Sequence, residues 1–168
     1  MSIELAAVAT SAFAPGEAHA PLLALAGRWS GPTVTWLDPS SNPPATHTEA
    51  EIQPILGGRV VRAAYTGTVA TEPHAGEFLL TFDQNEGHFA MAWVDSFHLG
   101  TGLMFAPGGP TGDGALAFLG SYACGGERWG WRTSIRLVDA NTVIVSATNI
   151  APDGTEHRAV ETRLSRQG

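Results

Sequence analysis

The chain has 168 residues, 43% of them hydrophobic, a formal net charge of -7 and one cysteine. That length predicts one domain able to bury roughly two-thirds of its unfolded surface without covalent staples. The acidic balance and shortage of lysine argue against a partner that is nucleic acid, because phosphate binding needs clustered cations. No apolar run approaches the ~20 residues of a membrane-spanning helix, and a lone Cys124 excludes an intramolecular disulfide framework, so a cytoplasmic location and no membrane partner are expected.

Residues 1–20 read as an N-terminal arm, partly flexible. Alanine propensity favours a helix over residues 3–13, and Pro15-Gly16 ends it. Ala18-His19-Ala20 resembles a signal-cleavage box, but Glu4 and the missing basic segment argue against export. Pro21 to Gly27 predicts one or two helical turns, with proline at the first position and glycine beyond the last.

Residues 21–168 are expected to form one all-β domain. Short β-prone runs alternate with turn residues, predicting ten strands near 32–38, 47–56, 58–68, 76–84, 88–97, 101–106, 115–123, 129–138, 142–150 and 156–165. Tight connections such as Gln84-Asn85-Glu86-Gly87 and Pro152-Asp153-Gly154 require antiparallel neighbours. So many strands either pack as two sheets or close on themselves, and a closed barrel removes exposed edges. The proline-rich segment 38–46 is placed as a long loop at one rim.

The run from His88 to His98 carries the most information. Alternation puts Phe89, Met91, Trp93, Asp95 and Phe97 on one face, and His88, Ala90, Ala92, Val94, Ser96 and His98 on the other. Aromatics facing inward place a carboxylate in an apolar lumen. Alanines facing inward leave a cavity, with the aromatics covered by the arm or a second subunit. Asp95 and His98 form an acid–base pair if a bend at Leu99-Gly100 returns the imidazole to the carboxylate. Otherwise Asp95 accepts backbone N–H groups and His98 is a rim residue, the reading that strict alternation favours. On the run from Trp129 to Arg136, inward Trp129, Trp131, Thr133 and Ile135 leave Arg132, Ser134 and Arg136 outside, the case a small barrel favours; the reverse lines the interior with two arginines beside Glu161, a site for an anionic ligand. Cys124 reads as a small buried hydrophobe. The six histidines show no metal-ligand spacing, so no metal site is expected.

The ordered set Gly27-Arg28-Trp29, Leu56-Gly57-Gly58-Arg59, Phe82-Asp83 and Trp93-Val94-Asp95-Ser96 resembles the bacterial family called domain of unknown function 1579. That resemblance spans residues 20–165 and implies a lipocalin-like (calycin-type) antiparallel barrel, without an activity to transfer. Gly27-Arg28-Trp29 also resembles the glycine-x-tryptophan element opening the first lipocalin strand. It implies that Trp29 plugs the closed end beneath Arg163 or Arg166 of the last strand, a cation–π contact. A more distant resemblance, to nitrobindin-type haem barrels, implies an axial role for His157 on the last strand; Arg158 and Glu161 beside it depart from that pattern, and no cofactor is expected.

Three functions remain open at this point. The first is binding of a small, largely apolar ligand, with Trp36, Tyr65, Met91, Trp93, Asp95 and His98 as wall or rim. The second is a cofactor-independent enzyme using His98 and Asp95. The third is a structural barrel with a filled lumen that pairs as a homodimer.

Overall fold

The computed structural model describes residues 14–168; the helix expected over 3–13 lies outside them. Ten antiparallel strands close into an up-and-down barrel: β1 Gly27–Thr35, β2 Thr46–Ile55, β3 Val60–Val69, β4 Glu72–Asp83, β5 His88–Asp95, β6 Met104–Pro110, β7 Leu116–Cys124, β8 Glu127–Asp139, β9 Thr142–Ile150 and β10 Glu156–Gln167. Each strand pairs with its neighbours in sequence, and β1 pairs with β10 to shut the barrel. All ten expected strands are present, with shifted ends. β1 begins at Gly27 rather than near residue 32 because Pro32 sits where the β1–β10 ladder is interrupted, between Ser30↔Ser165 and Thr33↔Thr162. A proline has no N–H to give to a ladder, so it fits such a gap. Gly31 is needed at the same place, because a Cβ there would lie 2.1 Å from the Arg163 carbonyl oxygen.

One end of the barrel, the base, is capped. A 3₁₀ turn at Glu17–His19 runs into α1, Ala20–Leu23, and His19, Leu22, Leu25 and Trp29 are all buried there. The Trp29 indole N–H donates to the Leu25 carbonyl at 2.8 Å, and the Arg166 guanidinium lies over the ring at 4.1 Å. Arg166 also donates to the carbonyls of Ala24 and Ala26 at the helix end and to Ala140, so one side chain joins cap, plug and the β8–β9 turn. Of the two arginines anticipated over Trp29, Arg166 is the one in contact.

Strand alternation turns Phe89, Met91, Trp93 and Asp95 of β5 inward, together with Trp131, Thr133 and Ile135 of β8, and all seven are buried. Arg132 lies outside, paired with Glu156. The large side chains face the lumen, so the aromatics of β5 need no covering arm. Cys124 corrects an expectation: it is exposed, because β7 ends there at the Gly125-Gly126 hairpin. Among the described residues, no helix is long and apolar enough to cross a membrane.

Candidate functional site

The lumen is filled on one side and hollow on the other. Met91, Met104, Ala106 and Phe118 are fully or almost fully buried beneath β5–β7, where Gly120 makes room for the Met104 thioether. Around the rest of the wall lies a cavity of about 100 Å³, lined by residues of β1–β5 and β8–β10, with Leu25 from the cap. That is about two-thirds of the ~150 Å³ dry cavity that accepts benzene, room for one small molecule. A filled lumen, part of the third reading, does not describe this barrel.

At the end of the cavity opposite the cap, β5 stops at Asp95 and the chain turns through residues 96–101. The Asp95 side chain causes that turn. Its Oδ1 accepts the backbone N–H groups of Phe97 at 2.7 Å and His98 at 2.6 Å, which is how an aspartate folds the chain back on itself. The fold-back carries the His98 ring over the lumen, where Nδ1 meets the same Oδ1 at 3.1 Å. Thus Asp95 makes both contacts: capping the strand end is what brings the imidazole to the carboxylate. The bend begins at Ser96 rather than at Leu99. Phe97, expected on the inward face, lies beyond the strand and is 41% exposed.

The other carboxylate oxygen, Oδ2, accepts the Tyr65 hydroxyl at 2.5 Å, and that hydroxyl accepts the Trp93 indole N–H at 2.8 Å. Gly76 makes this possible, for a Cβ there would stand 2.2 Å from the tyrosine oxygen. His74 Nε2 lies 4.0 Å from Oδ2. Its Nδ1 is buried without a well-formed hydrogen bond, the Gly67 backbone across the ladder offering only a weak contact.

These contacts set the charges. Burial pushes the Asp95 carboxyl up, but the bonds from His98, from Tyr65 and from the His98 backbone outweigh it and hold the group well below the usual carboxylate range. Burial, and then the Asp95 charge, push the Tyr65 hydroxyl well above the ordinary phenol range. Burial also lowers His74, only partly opposed by Asp95. At neutral pH the cluster is therefore an anionic Asp95, a neutral Tyr65 and a neutral His74. The proton shared with Asp95 sits on His98 Nδ1, because a carboxylate only accepts, and Nε2 is the atom left over.

Phe78, Trp93 and Trp131 form a near-parallel stack, with ring centres 5.8 and 5.4 Å apart and planes within 24°. Trp93 and Trp131 come from strands that are not neighbours, so they meet across the lumen. Threonines supply further polarity. Thr33 Oγ1 bonds Thr48 Oγ1 at 2.7 Å and Thr162 Oγ1 at 2.9 Å, and Thr133 Oγ1 is buried in the lining with no partner among the described residues.

Of the six residues anticipated for a wall or rim, Tyr65, Trp93, Asp95 and His98 line the cavity. Met91 does not, because it is sealed in the filled side. Trp36 stands past the end of β1, under the Arg158 guanidinium at 4.6 Å, outside the lining. His157, half-buried on β10, is likewise not part of it. Sequence reasoning missed His74, which falls before the expected start of β4, and the threonines. The signal for the threonines was the register: Thr33 shares the parity of Trp29, and Thr162 that of Leu164, so each is a hydroxyl in an otherwise apolar inward row. Among the described residues, no cluster of three or more histidine, cysteine, aspartate or glutamate side chains is placed to hold a metal ion.

No curated protein matches this chain. The model of the family described as "Protein of unknown function (DUF1579)" matches residues 14–166, nearly the whole sequence, and the chain belongs to that family.

Proposed function

We propose that this barrel binds a small, largely apolar molecule in its interior. The observation that carries the reading is the half-hollow lumen: a cavity of about 100 Å³ whose wall combines an aromatic stack with a few oriented polar groups. Apolar cavities with a small number of convergent polar side chains are the usual form of small-molecule sites. The test is native mass spectrometry of the protein as purified from cells, paired with quenching of tryptophan fluorescence by neutral aromatic ketones. Saturable quenching that is lost in a Trp93→Ala/Asp95→Ala double variant supports the assignment. Unchanged binding by that variant refutes it. The single cysteine supports a cytoplasmic setting for the protein.

A second reading, a cofactor-independent acid–base enzyme, is favoured by one contact. Asp95 holds the His98 ring through Nδ1 at 3.1 Å, as a base-orienting carboxylate does. In such a step Nε2 takes a proton from carbon next to a carbonyl, and the C–H electron pair moves to form an enolate. Deuterium incorporation into the methyl group of acetophenone in D₂O, followed by proton NMR, measures that step directly. A rate above buffer that falls about 10²–10⁴-fold in His98→Ala supports it. A rate equal to buffer refutes it.

A further inference from the structure

The polar groups around the cavity differ in what they can still offer, and the difference describes the molecule that fits. Asp95 is mostly engaged inside the protein. Oδ1 takes two backbone N–H groups and the His98 ring, and Oδ2 takes Tyr65, with His74 Nε2 4.0 Å away. Little of its accepting capacity is left for a ligand ammonium, while its charge repels a ligand carboxylate. The lining contains no lysine or arginine to offset that repulsion. A charged molecule entering this wall would lose its hydration with little in return.

Apart from Asp95, Tyr65 and His74, the lining carries two further sets of hydrogen-bonding groups. On the threonine side, Thr33, Thr48 and Thr162 share two hydrogen bonds among three hydroxyl protons, so one proton is surplus. Thr133, only 2% exposed, adds an unpaired hydroxyl in the same lining. Leaving such groups unpaired is unfavourable, and an acceptor oxygen on the ligand satisfies them. At the other end, His98 gives Nδ1–H to Asp95, which leaves Nε2 as the ring atom that can meet a ligand hydroxyl. The Phe78–Trp93–Trp131 stack adds flat aromatic surface to the same lining.

From this we propose that the cavity selects an uncharged ring compound with two oxygen functions, an acceptor such as a carbonyl held by Thr133 and the threonine trio, and a hydroxyl held by His98. The inference rests on the reading of the barrel as a small-molecule binder and adds the substrate class.

The experiment is isothermal titration calorimetry at pH 7 with a matched series. The probes are 4-hydroxyacetophenone (both functions), acetophenone (acceptor only), 4-ethylphenol (hydroxyl only), ethylbenzene (neither), 4-hydroxybenzoate (anion) and tyramine (cation). Expected is the tightest binding for 4-hydroxyacetophenone, with acetophenone and 4-ethylphenol each about 3–10-fold weaker, the worth of one neutral hydrogen bond. The two charged probes should be weaker by roughly 100-fold or more, as burial of an unpaired charge implies. Thr133→Val should bring 4-hydroxyacetophenone down toward 4-ethylphenol, leaving 4-ethylphenol itself unchanged, and Thr133→Ser should restore the preference. Equal affinity across all four neutral probes overturns the two-oxygen inference while leaving the binding function standing. Tighter binding of 4-hydroxybenzoate or tyramine overturns the selection for an uncharged molecule. Absence of heat with every probe overturns both, and the probe series on the unaltered protein decides even if a variant fails to fold.

Discussion

Replacing Tyr65 with phenylalanine deletes one oxygen and almost no volume, so its effect isolates the hydrogen bonds that this oxygen makes. Two are lost. The bond to Asp95 Oδ2, 2.5 Å long, is charge-assisted, and such bonds contribute about 1.5–3 kcal/mol. The Trp93 indole N–H, at 2.8 Å, is left without its acceptor in the lumen, at a cost of about 1–3 kcal/mol. Relaxation and partial hydration offset some of this, leaving an expected loss near 3 kcal/mol at pH 7. For a domain of this size that lowers Tm by roughly 6–12 °C. The loss also depends on pH in a stated direction. The folded-state pKa of Asp95 lies below its unfolded value, so the stability it contributes is fully present above about pH 4 and disappears as pH falls through the folded pKa. The gap between the native protein and Tyr65→Phe should therefore narrow below about pH 4. Urea unfolding followed by circular dichroism at pH 7 and in the acid limb measures both. A loss under ~1 kcal/mol at pH 7, or a gap that stays constant into acid, would refute the reasoning.

Thr133→Val removes a buried hydroxyl that has no partner among the described residues, so the unliganded protein should gain about 0.5–2 kcal/mol, read as a higher urea midpoint; a loss would show that the hydroxyl is satisfied. Arg166→Met should cost about 2–3 kcal/mol in the same assay, because it removes the cation over Trp29 at 4.1 Å and three bonds to carbonyls at the base. Both tyrosines have raised pKa values, each chiefly through burial. Since the unfolded chain ionises them first, stability should fall as pH rises above about 10, and phenolate absorbance should appear together with loss of the folded signal. Phenolate growth in the folded protein at pH 10 would contradict this.

The architecture was legible because it depends on local patterns that a sequence displays. Alternation and turn residues fix each hairpin, and hairpins of this length leave only antiparallel neighbours, so all ten strands could be placed and closure argued. Trp29 was readable as a plug through the resemblance of Gly27-Arg28-Trp29 to the opening element of lipocalins. The site was less legible, because its key contact breaks the pattern used to read everything else. Alternation separates Asp95 from His98, and only the side chain of Asp95, by bonding the backbone ahead of it, undoes that separation. His74 was hidden by a strand boundary misplaced by four residues, since Glu72-Pro73 reads as a turn although Val69↔Glu72 already pair. Met91 was misplaced relative to the hollow because a sequence gives the inward face of a strand but not which side of the lumen is filled. That depends on Met104, Phe118 and Gly120, which come from strands distant in sequence.

Among the described residues, the pairing of β1 with β10 is the one ladder that joins residues far apart in the chain; every other ladder links neighbours along it. Loop-closure entropy makes such a contact the costliest of the ladders to form, and breaking it opens the barrel. Thr33 of β1 and Thr162 of β10 face each other across that seam at 2.9 Å, and both line the cavity. A molecule held by those hydroxyls would clasp the two strands that close the barrel. Occupancy would then prolong the lifetime of the closed barrel, making persistence of the folded state a readout of what the cavity contains.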